Sequence, residues 1–321
     1  MILPGDDKDM ENLISVKNLE KSFKENKVLK GISFDVNAGE ILCILGPNGA
    51  GKTTTINILT AALGGDGGEI TFKGVPIGRQ LRKYKQSLGI VPQDISLYEE
   101  LSAEQNLSFF ASLYGLHGST LRDAVDKALV FAGLDDRRHD KVKTFSGGMK
   151  RRLNIACAIA HEPEVVIMDE PTVGIDPQSR NYILESIKKL RDKGVTVIYT
   201  THYMEEVEVI SSRIIIMDHG TIIAEGTKES LKAGIENEKR YTIDIEENGK
   251  IKRDEFFAIE GVKSVKIEGN SIEITSIRGI ENLDRIIALL SNRGERIKNI
   301  TSENASLEMV FLKLTGRKLR D

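Results

Sequence analysis

Apolar residues recur along this chain in two rhythms, and the places where one gives way to the other divide it. Ile14 to Val16 and Ile32 to Val36 alternate apolar and polar positions, as half-buried strands do. Gly39-Glu40-Ile41-Leu42-Cys43-Ile44-Leu45 reads as a short buried strand, and Thr54-Thr55-Ile56-Asn57-Ile58-Leu59 as the start of a helix. Ile70 to Phe72 and Leu88 to Val91 predict two more strands, the second ending at Pro92-Gln93. Helical spacing then takes over: Leu107, Phe110, Ala111 and Tyr114 are followed by Val125, Leu129 and Phe131, which predicts a helical subdomain over about 94–145. Ser146-Gly147-Gly148 opens a helix that runs through Ala160, and Val165 to Met168 is the continuous apolar run of a parallel strand buried on both faces. A helix over Gln178 to Lys193, strands at Val195 to Tyr199 and Arg213 to Asp218, and a hairpin at His219-Gly220 close this part near Gly226.

Beyond about Glu236 the texture changes to short strands and amphipathic helices. Tyr241, Ile243 and Ile245 alternate with polar residues, as do Ile272 and Ile274, whereas Ile286, Ile287 and Leu290, and later Leu307, Val310, Phe311 and Leu314, follow helix spacing. The expected organisation is an α/β domain over 13–232 and a small α+β domain over 236–321 that carries no catalytic signature.

Composition narrows the class. The 321 residues are 40% hydrophobic and 29% charged, as in a globular protein, and long enough for two modest domains. A net charge of −3 gives no basic surplus, and Trp is absent, so nucleic acid is not expected as a partner. The longest apolar runs are strand length, far short of the ~20 residues of a membrane span. Met1 to Asn12 is acidic and lacks the apolar stretch of a signal peptide. Cys43 and Cys157 lack metal spacing and read as buried fillers in a reducing compartment, so a cytoplasmic address is expected.

The candidate chemistry starts at Gly46-Pro47-Asn48-Gly49-Ala50-Gly51-Lys52-Thr53, which fits G-x-x-x-x-G-K-[ST] between a strand and a helix. There the glycines let backbone N–H groups wrap phosphates and the helix N-terminus adds positive potential. Lys52 is placed to reach the β- and γ-phosphates of a nucleotide, and Thr53 to hold Mg²⁺ through its hydroxyl. Val165 to Met168 delivers Asp169 and Glu170 at a strand end, Asp169 to orient the metal and Glu170 to accept a proton from the attacking water. Thr144-Phe145-Ser146-Gly147-Gly148-Met149 is a second candidate phosphate element, with a hydroxyl, two glycines and a helix N-terminus. A chain that already owns a complete phosphate loop has use for a second one if it serves a nucleotide held by another subunit.

With these motifs in this order, residues 13 to about 230 resemble the nucleotide-binding subunits of ABC transporters. The resemblance implies a P-loop NTPase cassette: a RecA-like core, an antiparallel β subdomain and a helical subdomain. It places Phe23 where an adenine-stacking aromatic occurs, Thr54 beside the phosphates, and Gln93 in the glutamine loop that touches metal and water. It matches Ser146, Gly147 and Gly148 to the signature motif, with Phe145 replacing the usual Leu. Asp176 falls in the loop that crosses the dimer interface, and His202 matches the switch histidine at the γ-phosphate. Thr201-His202-Tyr203-Met204-Glu205-Glu206, Tyr98-Glu99-Glu100-Leu101 and the tail Ser306 to Gly316 resemble the type-2 exporter branch.

What the resemblance implies is an ATP- and Mg²⁺-dependent ATPase that works as a head-to-tail pair, expected to be a homodimer, bound to separate membrane permease subunits on the inner face of the cell membrane. A soluble relative acting on ribosomes would carry two cassettes, and one acting on chromosomes would carry long coiled coils. An importer's regulatory domain would be all-β, and a non-hydrolysing module would lack Glu170 and His202. The basic run Lys150 to Arg152 is expected on a solvated or interface face of its helix, and His117, His139, His161 and His219 at the surface or in loops.

Overall fold

The computed structural model describes residues 12–233, 238–246, 251–277, 279–303 and 306–316. Most of the acidic stretch from Met1 to Asn12, and the domain edge expected at Glu236, lie outside them. The chain divides into two compact units at Thr227/Lys228.

The first unit is built on a six-stranded sheet whose strands are β3 (Ile41–Leu45), β6 (Leu88–Val91), β7 (Val165–Asp169), β8 (Thr196–Thr201), β9 (Arg213–Asp218) and β10 (Thr221–Gly226), in the order β10-β9-β3-β8-β7-β6. All neighbours pair parallel except β10 with β9. Every residue of β3, β7 and β8 is buried, which explains their unbroken apolar runs: with both faces covered there is no polar side to alternate with. The β9–β10 hairpin turns at His219 and Gly220 with φ of 46° and 77°, a pair of left-handed residues that matches the strand twist.

A second, antiparallel sheet has the order β2-β1-β4-β5, from β1 (Asn12–Phe23), β2 (Asn26–Asn37), β4 (Gly67–Phe72) and β5 (Val75–Pro76). Its inward residues, among them Ile14, Val16, Phe34, Val36 and Phe72, share one core with β3 and with Ile56 and Leu59 of helix α1 (Lys52–Leu59). Tyr84, in α2 (Leu81–Gln86), is buried in the same core and its hydroxyl donates to Leu59 O at 2.7 Å.

The helical subdomain consists of α3 (Ala103–Leu113), α4 (Gly118–Ala132) and α5 (Gly147–Ile159). A reciprocal cap between Ser102 and Gln105 starts α3, and Gly133 in the left-handed region ends α4. Leu153, Ala156, Cys157 and Ala160 bury one side of α5 among Leu107, Val125 and Leu129, so the serine–glycine motif at its start is anchored in this subdomain. Two further helices, α6 (Pro177–Asp192) and α7 (Met204–Ile210), follow β7 and β8.

The second unit holds α8 (Lys228–Ala233), β11 (Glu238–Ile245), α9 (Arg253–Phe256), β12 (Val262–Glu268), β13 (Ser271–Ile277), α10 (Leu283–Asn292), β14 (Ile297–Glu303) and α11 (Leu307–Thr315). Its antiparallel sheet runs β12-β13-β11-β14. Tyr241, Ile243, Ile272 and Ile274 turn inward against Ile286 and Leu290 of α10, as their alternation predicts. Helix α8, expected in part to close the first domain, groups with the second unit because α11 packs against it.

Candidate functional site: a phosphate loop and a serine–glycine corner

The phosphate loop leaves β3 at the centre of the parallel sheet, between β8 and β9. Gly46 must lack a side chain, since a Cβ there would lie 2.4 Å from Met217 O. Gly51 takes φ +104° and passes Leu29 too closely for a Cβ. Gly46, Pro47, Ala50 and Gly51 are buried, while Asn48 and Gly49 are exposed at the tip. Helix α1 begins at Lys52 with no side-chain cap and no acidic residue in its first turn, so its positive end is not neutralised locally. Thr53 exposes its side chain at this end, with Thr54 half-buried beside it.

The Lys52 side chain is buried. Its ammonium donates to Gly46 O at 2.8 Å and Pro47 O at 3.2 Å and lies 3.0 Å from Glu170 Oε1, so three donors meet three acceptors. Glu170 Oε2 accepts from His202 Nδ1 at 3.2 Å, which assigns the proton on that nitrogen, because an ionised carboxylate only accepts. Burial pushes the Glu170 carboxyl upward, but the charge and hydrogen bonds of Lys52, with those of His202, outweigh it and hold its pKa below the ordinary carboxylate range. Glu170 sits at φ +44°, a left-handed conformation costly for a side chain with a Cβ. Thr200, paired with Asp169 across β7 and β8, fixes this corner: its hydroxyl donates to Asp169 Oδ1 at 2.5 Å and accepts from Glu170 N at 3.0 Å.

Ser146 and Asp176 belong to a different neighbourhood. Each caps a helix: Ser146 Oγ accepts from Met149 N at 3.2 Å at the start of α5, and Asp176 Oδ1 accepts from Ser179 N at 2.9 Å at the start of α6. The backbone and side-chain hydrogen bonds from Ser179 lower the pKa of the exposed Asp176. The two glycines between them do different work. A Cβ on Gly147 would meet open space, whereas one on Gly148 would lie 2.0 Å from Ser179 Oγ and 3.0 Å from Asp176 Oδ2. The expectation that both glycines admit an anion is therefore modified: Gly148 is needed to let α5 and α6 touch, and Gly147 faces outward. Among the described residues no hydrogen bond or ion pair joins Ser146, Gly147 or Gly148 to the phosphate loop.

Gln93 is exposed on the loop after β6, and Phe23 is exposed at the end of β1, where the Lys21 ammonium lies 5.6 Å from its ring. Arg151 departs from expectation. It is buried, not solvated, because it donates to Pro92 O at 2.7 Å and also to Gln93 O, tying the signature helix to the loop of Gln93. Arg152 bonds Ala132 O at 2.8 Å and covers the Tyr182 ring, and Lys150 pairs with Glu99. His161 lies in the turn after α5, as expected, but is half-buried: it stacks on Tyr114 at 3.5 Å between centroids, bonds Leu88 O at 3.0 Å, and burial pushes its pKa down to about 4. No spacing rule marks any of these. A cation or imidazole inside a run of helical spacing becomes visible only once the carbonyls it satisfies are placed.

The oxygens of Thr53 and Asp169 are hard donors that suit Mg²⁺. Among the described residues there is no group of three or more His, Cys, Asp or Glu that could hold a metal ion.

Comparison with known proteins follows this geometry. The family model described as "ABC transporter" matches residues 29–173. The linearmycin resistance ATP-binding protein LnrL of Bacillus subtilis is 42% identical over 313 residues, covering 96% of this chain and 100% of the relative. The Nod factor export ATP-binding protein I of Burkholderia orbicola is 37% identical over 312 residues, covering 96% and 98%. Among solved structures, cbiO1 of Clostridium perfringens, part of an ABC transporter complex, matches with TM-score 0.65 and 31% identity over 70% of this chain and 91% of that one. An ATP-binding cassette solved as a dimer in a post-hydrolysis state with ADP and Pi matches with TM-score 0.62 and 27% identity over 67% and 98%. The 96% coverage by the first two relatives exceeds the extent of the first unit, so likeness to them continues into the second.

Proposed function

This chain belongs to the ATP-binding subunits of ABC transporters and is an ATPase, and from that premise we propose that it powers an exporter as a head-to-tail dimer bound to membrane permease subunits. Export is supported by the relatives whose names carry export and resistance. The dimer is supported by the separation of the two phosphate elements: the serine–glycine corner has no bond to its own chain's phosphate loop, and a second copy brings one to the other.

In this reading the loop from Gly46 to Thr54 binds the triphosphate, with Lys52 on the β- and γ-phosphates and Phe23 against the adenine. Ser146, Gly147 and Gly148 close over the nucleotide of the partner subunit, and Asp176 lies at the same interface. Thr53 and Asp169, with Gln93, hold Mg²⁺, which neutralises charge on the phosphates when bound. Glu170, held ionised, accepts the proton of the attacking water, and His202 orients Glu170 and meets the γ-phosphate. The observation that supports the reading is the contact chain Lys52–Glu170–His202, in which the Lys52 ammonium lies 3.0 Å from Glu170 Oε1 and His202 Nδ1 lies 3.2 Å from Glu170 Oε2.

A permease partner is supported by the surface beside Gln93. Ile95, Tyr98, Phe109 and Leu113 are exposed apolar residues, and Leu81, Arg82, Gln86 and Tyr114 line a groove of about 600 Å³ with Leu113. Among the described residues no helix is long and apolar enough to cross a membrane; in this reading the chain is held at the cytoplasmic face by its permease. Glu170→Gln is the test. ATP hydrolysis should fall by about 10²-fold or more, as for loss of a general base, with ATP binding retained and the dimer accumulating in ATP. Turnover at the native rate refutes the base assignment.

A further inference from the structure

Glu206 is a buried carboxylate that none of these steps uses. It lies in the first turn of α7 and is 1% exposed, so its charge must be met by donors inside the protein. Three hydroxyls meet it. Thr172 Oγ1 donates to Oε1 at 2.6 Å, while Tyr199 OH and Thr201 Oγ1 each donate to Oε2 at 2.8 Å. Arg180 Nε approaches Oε1 only to 3.6 Å, beyond hydrogen-bond distance. Burial, with the neighbouring Glu206 charge, pushes the Tyr199 phenol well above its ordinary range, so it stays protonated as a donor. A buried carboxylate held chiefly by hydroxyls is a costly way to join elements that apolar contacts would join as well. Something other than cohesion must depend on its geometry.

The three donors differ in what they are attached to. Thr172 stands two residues after Glu170, in the turn where Glu170 holds its left-handed conformation. Thr201 immediately precedes His202, and its hydroxyl also accepts from Tyr203 N at 2.9 Å, which closes the loop around the histidine. Tyr199 lies within β8, between the two, and its hydroxyl also lies 3.3 Å from Thr172 Oγ1. One carboxylate therefore spans from the Glu170 turn to the His202 loop.

We propose that Glu206 is a positioning residue for ATP hydrolysis: its two oxygens fix the turn of Glu170 against the loop of His202 so that the base and the switch histidine meet. This rests on the roles assigned above to Glu170 and His202. The strained backbone at Glu170 persists only where its surroundings over-determine it, and the bond from Thr172 is one of the contacts that do so.

The test removes the donors one at a time in the full-length chain and leaves the carboxylate in place, since Glu206 variants risk a failure to fold. Thr172→Val and Thr201→Val should each lower kcat roughly tenfold or more, because misplacing a catalytic group by a fraction of an ångström costs that much, with KM for ATP within about twofold. Tyr199→Phe removes a donor to the same carboxylate and leaves the bonds from Thr172 and Thr201 to Glu206 in place, so its denaturation midpoint should fall comparably while kcat stays within about twofold. Thr172→Ser, which restores the hydroxyl, should recover the rate. A purely structural Glu206 predicts equal rates in all three donor variants, and that result overturns the proposal, as does a native rate in Thr172→Val. Glu170→Gln run beside them separates the two levels. If it is inactive while Thr172→Val and Thr201→Val keep full rate, only the role of Glu206 fails. If it is active, the base assignment falls and this proposal with it.

Discussion

The phosphate-loop cluster and the serine–glycine corner both lie at helix N-termini, yet they are wired in opposite ways. Around Lys52 the polar groups are buried and bonded inside the chain: the ammonium to two loop carbonyls and Glu170, Glu170 to His202, Asp169 to Thr200. At the corner, Ser146 makes one bond to cap its own helix, Gly147 faces open space, and Asp176 caps α6 while exposed. Preorganisation belongs where charge is developed and moved, since fixed dipoles need not reorient during reaction. An exposed, sparsely bonded corner suits a surface that must engage and release a partner on every cycle. The two halves therefore fail differently: damage to the cluster is damage to chemistry, and damage to the corner is damage to assembly.

The largest way to break this contrast is Lys52→Ala. It removes a charge-assisted contact to phosphate and strands Glu170 without its cation. Each such bond is worth about 1.5–3 kcal/mol, so ATP affinity should fall on the order of 10- to 100-fold. Nucleotide titration of the purified chain measures it, and unchanged affinity rules out the phosphate role of Lys52.

The two glycines of the corner sharpen the contrast. Gly148→Ala drives a Cβ into Ser179 and should cost about 1–3 kcal/mol of stability, the usual range for overpacking. Gly147→Ala meets nothing and should leave stability within about 0.5 kcal/mol while lowering ATPase activity, because in the proposed dimer the added methyl would face the partner's nucleotide. Denaturant unfolding and turnover of the two variants, side by side, read the difference. Equal loss of stability would show that the corner is a folding element and not a docking one.

Acid distinguishes the two halves by a smaller amount. Glu170 has a folded-state pKa below its unfolded value, so its contribution to stability is present above the ordinary carboxylate pKa and disappears as pH falls through the folded one. Unfolding curves from about pH 5 downward through the acid range should therefore fall less steeply with pH in Glu170→Gln than in the native chain. Asp176 is also lowered, but it is fully exposed, and Asp176→Asn should leave the pH slope unchanged. A native slope in Glu170→Gln would mean that the Lys52 contact does not stabilise the fold.

What the sequence made legible follows the same division. The phosphate loop, Asp169, Glu170 and the serine–glycine corner could be read because backbone geometry demands glycine, hydroxyl or carboxylate at short fixed spacing, and that demand is local. Strands β3, β7 and β9 could be read because burial leaves unbroken or nearly unbroken apolar runs. Strands β12 and β14 were not individually marked, since each has one apolar face and its other positions carry Lys, Ser, Asn or Thr, which any surface loop also carries. Arg151, His161 and Glu206 escaped for a different reason. Each is a buried or half-buried polar residue made tolerable by groups 5 to 73 positions away, so its environment is a product of the tertiary fold.

The smallest expected effect tests the edge of the cluster. Phe23 is 48% exposed at the end of β1, so its side chain has little to do with the stability of the strand. If it stacks on the adenine, Phe23→Ala removes an aromatic contact worth about 0.5–1.5 kcal/mol, which is roughly a two- to tenfold loss of ATP affinity. The base ring lies at the far end of the nucleotide from the bond that breaks, so the contact holds equally in ground and transition states and kcat should not change. Phe23→Tyr, which keeps the stacking face, should bind as the native chain does. A lowered kcat in Phe23→Ala would instead mean that this residue acts on the phosphate end, and the division between wired chemistry and outlying contacts would have to be redrawn at β1.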